Sequence, residues 1–488
     1  MQRGTGVRRG RRAAVAGVLG VALTAGGLTA ASAAPSPKAG QSSGHPSAPA
    51  SGAARPPAPA GPKLAATGGA VLAASVTGDT GLPTTAGLQR DLGALLQDKA
   101  FGTLGFAITD GVTGALLLGG NENGAATPAS TTKLLTAVAA LQLVPGDTRL
   151  STRVVQGSAP DEIVLVGGGD PTLSTLPQAD VRVGGMPVDE DTAPATLADL
   201  AQRTAAALKT AGVGSVKIGF DTSLYTGPIR HAEHDGTNIA DVTPLMVDEA
   251  KIDPRSKEDA PGRVAEPAVR ATEAFAALLG GLGITVQGKP AAKTAAAGAA
   301  ELAAVKSPTI DRLVERFLTT SDNLLTETIA RQVAIAAKQP ASFEGASLAT
   351  RQTLEALGVP MTGVVLNDGS GLHKGNQLSP LVLAKLLAVA SSPEHPQLRP
   401  VLTGLPIAGF TGTMASRFAK SPEGIGIVRA KTGTLTESGI FTLAGTVMDA
   451  EGRPLTFALM SHTTPTGGDA ARAAIDRAVA RLAVCGCH

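Results

Sequence analysis

The stretch Thr127-Pro128-Ala129-Ser130-Thr131-Thr132-Lys133-Leu134-Leu135 leads into an apolar run whose pattern predicts a helix over residues 131–143. Ser130 stands at the start of that helix, where backbone N–H groups favour developing negative charge. Lys133 follows three residues later, so the two side chains share a face. A serine hydroxyl becomes an effective nucleophile when a neighbouring group takes its proton. A lysine does this when burial or cationic neighbours lower its pKa. The plainer reading is an N-cap serine beside a surface lysine. Two features weigh against it: no other Ser-x-x-Lys spacing is found in the chain, and Lys133 is the one charge on an otherwise apolar helix.

Two further polar motifs follow. Ser321-Asp322-Asn323 falls between helical patterns at 310–319 and 324–337. A hydroxyl and a carboxamide on one loop can relay a proton and hold a substrate amide. The same residues also suit a helix N-cap, with Glu327 in the following first turn. Lys431-Thr432-Gly433-Thr434 continues a β-rich run, so Lys431 and Gly433 face one way and Thr432 and Thr434 the other. Gly433 leaves room for a ligand backbone, and hydroxyls with a cation at a strand edge suit a substrate carboxylate. Read alone, the segment is equally an ordinary polar edge strand.

Around these motifs the chain has 488 residues, long enough for more than one domain. Arg8, Arg9, Arg11 and Arg12, an apolar run over 13–30 and the small residues Ala31-Ser32-Ala33 predict a cleaved secretory signal over 1–33. The alternative is a single membrane anchor, for which the Ala- and Gly-rich run is marginal. Residues 34–80 are mostly Pro, Ala, Ser and Gly and read as a disordered tether. The net charge of +2, from 42 basic and 40 acidic residues, calls for neither nucleic acid nor an anionic surface. Cys485 and Cys487 are the only cysteines and lie far from any catalytic His–Asn set, so a thiol enzyme is not indicated. A mutual disulfide and an intermolecular bridge both remain open for them.

Strands are expected at 104–108, 115–118, 163–166, 216–220, 285–286, 426–430, 440–448 and 455–460, with helices at 88–96, 197–210, 268–282 and 469–483. Strands at both ends of this pattern predict one antiparallel sheet closed by sequence-distant halves. Residues 81–148 and 303–488 would build it with flanking helices, and 149–302 would form an α+β insertion between the first two motifs. The fold class is therefore α/β (α+β) and multidomain. No repeat of fixed period is visible.

The three motifs in this order resemble those of the penicillin-recognising serine hydrolases. Within that group the chain looks most like the low-molecular-mass penicillin-binding proteins of the D-alanyl-D-alanine carboxypeptidase/endopeptidase type, peptidase family S13. The long insertion points the same way, as do Val166-Gly167-Gly168-Gly169-Asp170-Pro171-Thr172-Leu173 and Asn367-Asp368-Gly369-Ser370-Gly371-Leu372. The chain departs from the group in a short insertion and in His373, where a small hydroxyl is expected. The resemblance implies a β-lactamase/transpeptidase-like sheet and an acyl-enzyme on Ser130, with Lys133 as base and Ser321 relaying a proton under the influence of Lys431. It further implies that Asn323 holds the substrate amide, that Thr432 and Thr434 bind a terminal carboxylate, and that the N–H groups of Ser130 and Thr434 form an oxyanion hole. Peptidoglycan stem peptides ending in D-Ala-D-Ala would be substrates and β-lactams covalent inhibitors. Neither a cofactor nor a stable membrane span after signal cleavage is implied.

Two rivals share the motifs: a serine β-lactamase, and a non-catalytic β-lactam sensor or wall-binding protein. The first needs a dedicated deacylating base, and the one tyrosine, Tyr225, lies in the insertion. The second has no need of Lys133. His231 and His234, with Glu233 between them, form a pair that could suggest a metal, but they lie in a polar loop with no third ligand in view, which argues against a metal site. Gly167-Gly168-Gly169 lacks the Lys-Ser/Thr of a phosphate loop and reads as a turn. Asp221 resembles a family position that meets the amine of a diamino-acid stem residue.

Overall fold

The computed structural model describes residues 81–463 and 467–488. The signal and tether expected over 1–80 lie outside the described residues. After α1 (Thr85–Leu92) the chain forms β1 (Thr103–Asp110) and β2 (Leu116–Gly120), then α2 (Lys133–Leu143). The middle of the chain holds β3 (Arg149–Gln156), β4 (Glu162–Val166), a short hairpin of β5 (Arg182–Val183) and β6 (Met186–Pro187), α3 (Leu197–Thr210) and β7 (Ser215–Asp221). It continues through α4 (Pro267–Gly281), β8 (Thr285–Val286), β9 (Ala291–Ala292) and β10 (Glu301–Thr309). The last part contains α5 (Ile310–Thr320), α6 (Asn323–Ala336), α7 (Phe343–Ala356), α8 (Pro380–Ser391), α9 (Arg399–Thr403), β11 (Arg429–Leu435), β12 (Ile440–Met448), β13 (Pro454–His462) and α10 (Gly468–Ala483).

One sheet has the order β11-β12-β13-β1-β2 and is antiparallel throughout. Its closure pairs Thr103 with His462 and Asp110 with Leu455, so the two halves of the chain meet as expected. Helices cover both faces. Phe441, Leu443, Phe457 and Leu459 pack against the buried face of α10, while Ala444, Ala458 and Met460 pack toward α2 and α8. Burial on both faces explains why β12 and β13 read as near-continuous apolar runs instead of alternating.

The second sheet has the order β10-β3-β4-β7-β8, with β9 also on β7. Its β10, β3 and β4 are antiparallel, whereas β4, β7, β8 and β9 are parallel. α3 and α4 cover it through Leu197, Leu200, Leu208, Phe275 and Leu279. β10 carries this sheet to Thr309, past the boundary read at residue 302. Its Ala-rich, Pro308-containing sequence has weak strand character, which hid it.

Between the sheets lies the helical layer that matters for the site. α5 buries Ile310, Leu313, Val314, Phe317 and Leu318, an i, i+3, i+4, i+7, i+8 stripe. α2 is different: every residue from Lys133 to Leu141 is buried, because α5, α6, α7 and α8 surround it. An apolar helix with one lysine therefore delivers that lysine into the core.

One strand expectation is corrected. Residues 426–428 are not extended: Gly426 has φ +77°, and the N–H groups of Ile427 and Val428 both donate to the Gly424 carbonyl. The strand starts later, at Arg429, and includes the Lys431 motif. No helix among the described residues is long and apolar enough to cross a membrane.

Candidate active site

Ser130 sits in a 3-10 turn, Ala129–Thr132, that runs directly into α2. In such a turn residues i and i+3 eclipse, which brings Lys133 Nζ to 3.0 Å from Ser130 Oγ. Ser130 is thus not the N-cap of α2. The turn is pinned from β12, where Thr442 Oγ1 donates to the Pro128 carbonyl at 2.8 Å, and from β13, where His462 Nε2 lies 3.0 Å from the Thr127 carbonyl. Gly371 (φ +80°) closes the other side; a Cβ there would lie 1.9 Å from the Ala129 carbonyl.

Gly433 pairs with Thr442 across β11 and β12. A Cβ on Gly433 would stand 2.1 Å from Thr442 Oγ1 and 2.7 Å from the Pro128 carbonyl. The expectation that this glycine clears room for a ligand is therefore corrected. It clears room for the turn that carries Ser130.

Lys133 is fully buried. Its Nζ also lies 2.7 Å from Asn323 Oδ1 and 2.7 Å from the Ser370 carbonyl. Both of those atoms only accept, so they take two N–H bonds. A neutral amine then has its lone pair left for the Ser130 hydroxyl proton. Burial lowers the Lys133 pKa to about 8, against the opposing pull of Asp368, Glu327 and Asp322.

The second motif does two jobs at once. Asp322 caps α6, its Oδ1 accepting from Leu325 N at 2.7 Å. Ser321 ends α5 in the left-handed region at φ +61°. This pair of terminations leaves the Ser321 and Asn323 side chains to face Lys431 and Lys133. Asn323 Nδ2 also donates to the Asn238 carbonyl of the insertion at 3.2 Å. Capping and site were not competing readings. Glu327 does not serve the first turn; it is buried and accepts from Gly369 N and Ser370 N.

Lys431, on the edge strand β11, is fully buried, with Nζ 2.9 Å from Ser321 Oγ and 2.8 Å from the Thr432 carbonyl. Burial, then repulsion from Lys133, holds its pKa well below the ordinary lysine value. Its placement among direct substrate contacts is corrected: it lies under the cleft floor. Thr432, bonded through Oγ1 to Thr413 Oγ1 at 2.8 Å, and the exposed Thr434 do line the cleft. So do Ser130, Ser321 and Asn323, in an opening of about 2380 Å³ whose lining also includes Arg182, Glu233 and Asn238 of the insertion.

Other expectations fare less well. Asp221 is nearly buried, takes N–H bonds from Ser223 and Ala295, and does not line the cleft. His231 is not in an open polar loop. It is buried with Glu327 and Asp368, one nitrogen or oxygen from each lying within 4.8 Å of the others. Backbone and side-chain donors already occupy those carboxylates, so the set is a hydrogen-bonded cluster more than a vacant ligand set. His234 turns instead toward Asp241 at 3.7 Å. The resemblance singled out the Asp368–Ser370 loop without giving it a role; the Ser370 carbonyl on Lys133 is that role.

The model of the D-Ala-D-Ala carboxypeptidase 3 (S13) family matches residues 88–269 and 254–483. The chain belongs to this family. Among its relatives, Carboxypeptidase DacB of Mycolicibacterium smegmatis is 38% identical over 83% of this chain and 85% of its own length. A carboxypeptidase of Mycobacterium tuberculosis is 35% identical over 83% of this chain and 85% of its own. The crystal structure of penicillin binding protein 4 (dacB) from Haemophilus influenzae shares the fold, with a TM-score of 0.64 at 20% identity, covering 81% of this chain and 98% of that one. The S13 assignment thus spans both sheets and all three motifs.

Proposed function

We propose that this protein is a serine-type D-Ala-D-Ala carboxypeptidase acting on peptidoglycan stem peptides through an acyl-enzyme on Ser130. The contact that carries this reading is Lys133 Nζ at 3.0 Å from Ser130 Oγ, in a cage where the amine's other two neighbours are acceptors. Ser130 Oγ attacks the carbonyl of the penultimate D-alanine as its proton passes to Lys133. The N–H groups of Ser130 and Thr434 hold the oxyanion, each donor being worth about 3 kcal/mol in such sites. Ser321, bonded to Lys431, relays that proton from Lys133 to the leaving amine and keeps its own hydroxyl. Asn323 holds the substrate amide, and Thr432 and Thr434 hold its terminal carboxylate. Water then frees Ser130.

Cleavage of a D-alanyl cross-link is the same chemistry with a bulkier leaving amine, and a cleft of about 2380 Å³ has room for it. The arginine-led apolar run before Ala33 supports export to the cell wall. The strand pairing supports a catalytic unit of 81–148 with the part of the chain after β10, interrupted by the inserted sheet.

A β-lactamase reading finds no favourable base in Tyr225. That hydroxyl is buried near Gln332 and the Thr328 carbonyl, and burial pushes its pKa up. Glu327 is likewise committed to the Gly369 and Ser370 amides. Incubation with benzylpenicillin, read by peptide mass spectrometry, tests the proposal. A lasting adduct on the Ser130 peptide, absent from Ser130→Ala, is expected. Rapid penicillin consumption without an adduct would move the assignment to a β-lactamase, and neither adduct nor consumption would leave a binding protein.

A further inference from the structure

Lys133 is positioned by the Ser370 carbonyl, and that carbonyl belongs to a loop whose N–H groups at Gly369, Ser370, Gly371 and His373 are taken up by two buried carboxylates, while Thr136 Oγ1 donates to the Gly369 carbonyl at 2.7 Å. Glu327 Oε1 accepts from Gly369 N at 3.1 Å and from Ser370 N at 2.7 Å. Asp368 Oδ1 accepts from Gly371 N at 2.9 Å and Asn376 Nδ2 at 2.5 Å. Asp368 Oδ2 accepts from His373 N at 2.8 Å and Ser370 Oγ at 3.2 Å. The remaining partner of Oδ2 comes from the inserted region: His231 Nε2, at 2.9 Å.

His231 is 2% exposed, edge-on to Phe343 of α7 at 5.3 Å and to His373 at 6.3 Å. Its Nδ1 accepts from Glu233 N at 3.0 Å. A ring nitrogen that accepts carries no proton, so the ring proton sits on Nε2 and is donated to Asp368. The charged groups acting on the imidazole are Glu327 of α6, Asp368 of the loop and Glu233 of its own segment. Glu327 and Asp368 also act on Lys133. One neutral side chain thus joins the insertion to the loop that orients the amine.

We propose that His231 is a positioning residue for the acylation reaction: by donating to Asp368 it fixes the 368–371 loop, and through the Ser370 carbonyl it keeps the Lys133 amine directed at Ser130 Oγ. This rests on the acyl-enzyme reading above. Without the Nε2 donor, Asp368 loses the hydrogen bond that tempers its carboxylate, and the loop's hold on Lys133 loosens. The amine then both misaligns and binds its proton more firmly, so acylation slows and its acid limb moves to higher pH.

Two amide replacements separate this from a packing role. In His231→Gln the amide nitrogen reaches the Nε2 position and can still donate to Asp368. In His231→Asn it stops at the Nδ1 position and cannot. The measurement is the rate of acylation by a chromogenic β-lactam between pH 6 and 10, with thermal melting of each variant alongside. The expected result is about a tenfold loss in His231→Asn with its acid limb displaced upward, and a rate within about threefold of wild type in His231→Gln. Equal rates and unmoved pH profiles in the two variants would overturn the proposal, whether both are active or both impaired. If His231→Asn does not fold, a His231→Gln protein that folds but has a displaced limb overturns it too, and one with the wild-type limb supports it. A wild-type protein that takes no adduct at Ser130 would instead break the acyl-enzyme reading.

Discussion

Two hydroxyl–lysine pairs form the site, and they differ in what surrounds the amine. Ser130 and Lys133 share one turn, 3.0 Å apart, and the lysine is within the influence of three carboxylates. Ser321 and Lys431 come from the end of a helix and an edge strand, 2.9 Å apart, and the charge acting on that lysine is another lysine, Lys133. Both amines are fully buried. Carboxylates return part of the proton affinity that burial removes from Lys133, leaving its pKa at about 8, whereas burial and then repulsion from Lys133 hold Lys431 well below the ordinary lysine value. Burial makes a lysine a base; the neighbouring charges decide at which pH.

The largest effect should come from breaking the first pair. Lys133→Met is expected to slow acylation of Ser130 by roughly 10³- to 10⁴-fold, the upper range for a general base. Its melting temperature should stay level or rise, because a buried amine is replaced by a thioether of similar length. A chromogenic β-lactam and a melting curve check both. Lys431→Met should cost about 10²-fold in D-alanine release from a D-Ala-D-Ala peptide. Should it equal Lys133→Met, the two lysines would not have the separate tasks argued here.

A third variant probes the support of the first pair and leaves its amine in place. Gly433→Ala forces a Cβ against Thr442 Oγ1 and the Pro128 carbonyl, so the Ser130 turn must shift. A displacement of that kind costs up to about 10²-fold, and it should appear in acylation rate with little change in non-covalent binding. The pH profile sharpens the comparison further. Lys133 must be neutral to accept a proton, so acylation should rise about tenfold per pH unit below the Lys133 pKa of about 8 and level off above it. A flat profile from pH 6 to 9 would exclude Lys133 as the titrating base. The smallest catalytic effect belongs to the insertion's own core. Phe275→Ala, in α4, should lower stability by about 3–5 kcal/mol while the acylation rate of the folded fraction remains that of wild type.

Much of this architecture was legible from residue order. The spacing of Ser130 and Lys133, the apolar α2 and the strands β12 and β13 carry local signals that tertiary contacts reinforce. β3, β10, α7 and α8 carry weaker ones. α8 is apolar on most sides because it lies between the β1–β13 pair and α2, so no clean amphipathic stripe marks it. The site divides in the same way. The motif residues announce themselves, but His231, Glu327, Asp368 and Ser370 bear on Lys133 from positions 98, 194, 235 and 237 residues away. Nothing in their local sequence links them to it.

By itself, then, the sequence determined which chemistry is present: a serine with a lysine one turn on, a second hydroxyl beside a carboxamide, a strand that carries a second lysine, and an insertion between the first two motifs. Those features are local, and short-range geometry of turns and strands enforces them. Only the tertiary structure decided that both lysines are buried, that Gly433 serves the Ser130 turn and not a ligand, and that an imidazole of the insertion holds the loop behind the base. Burial and long-range hydrogen bonds exist only once distant segments have met, and a pKa is set by the surroundings that meeting creates.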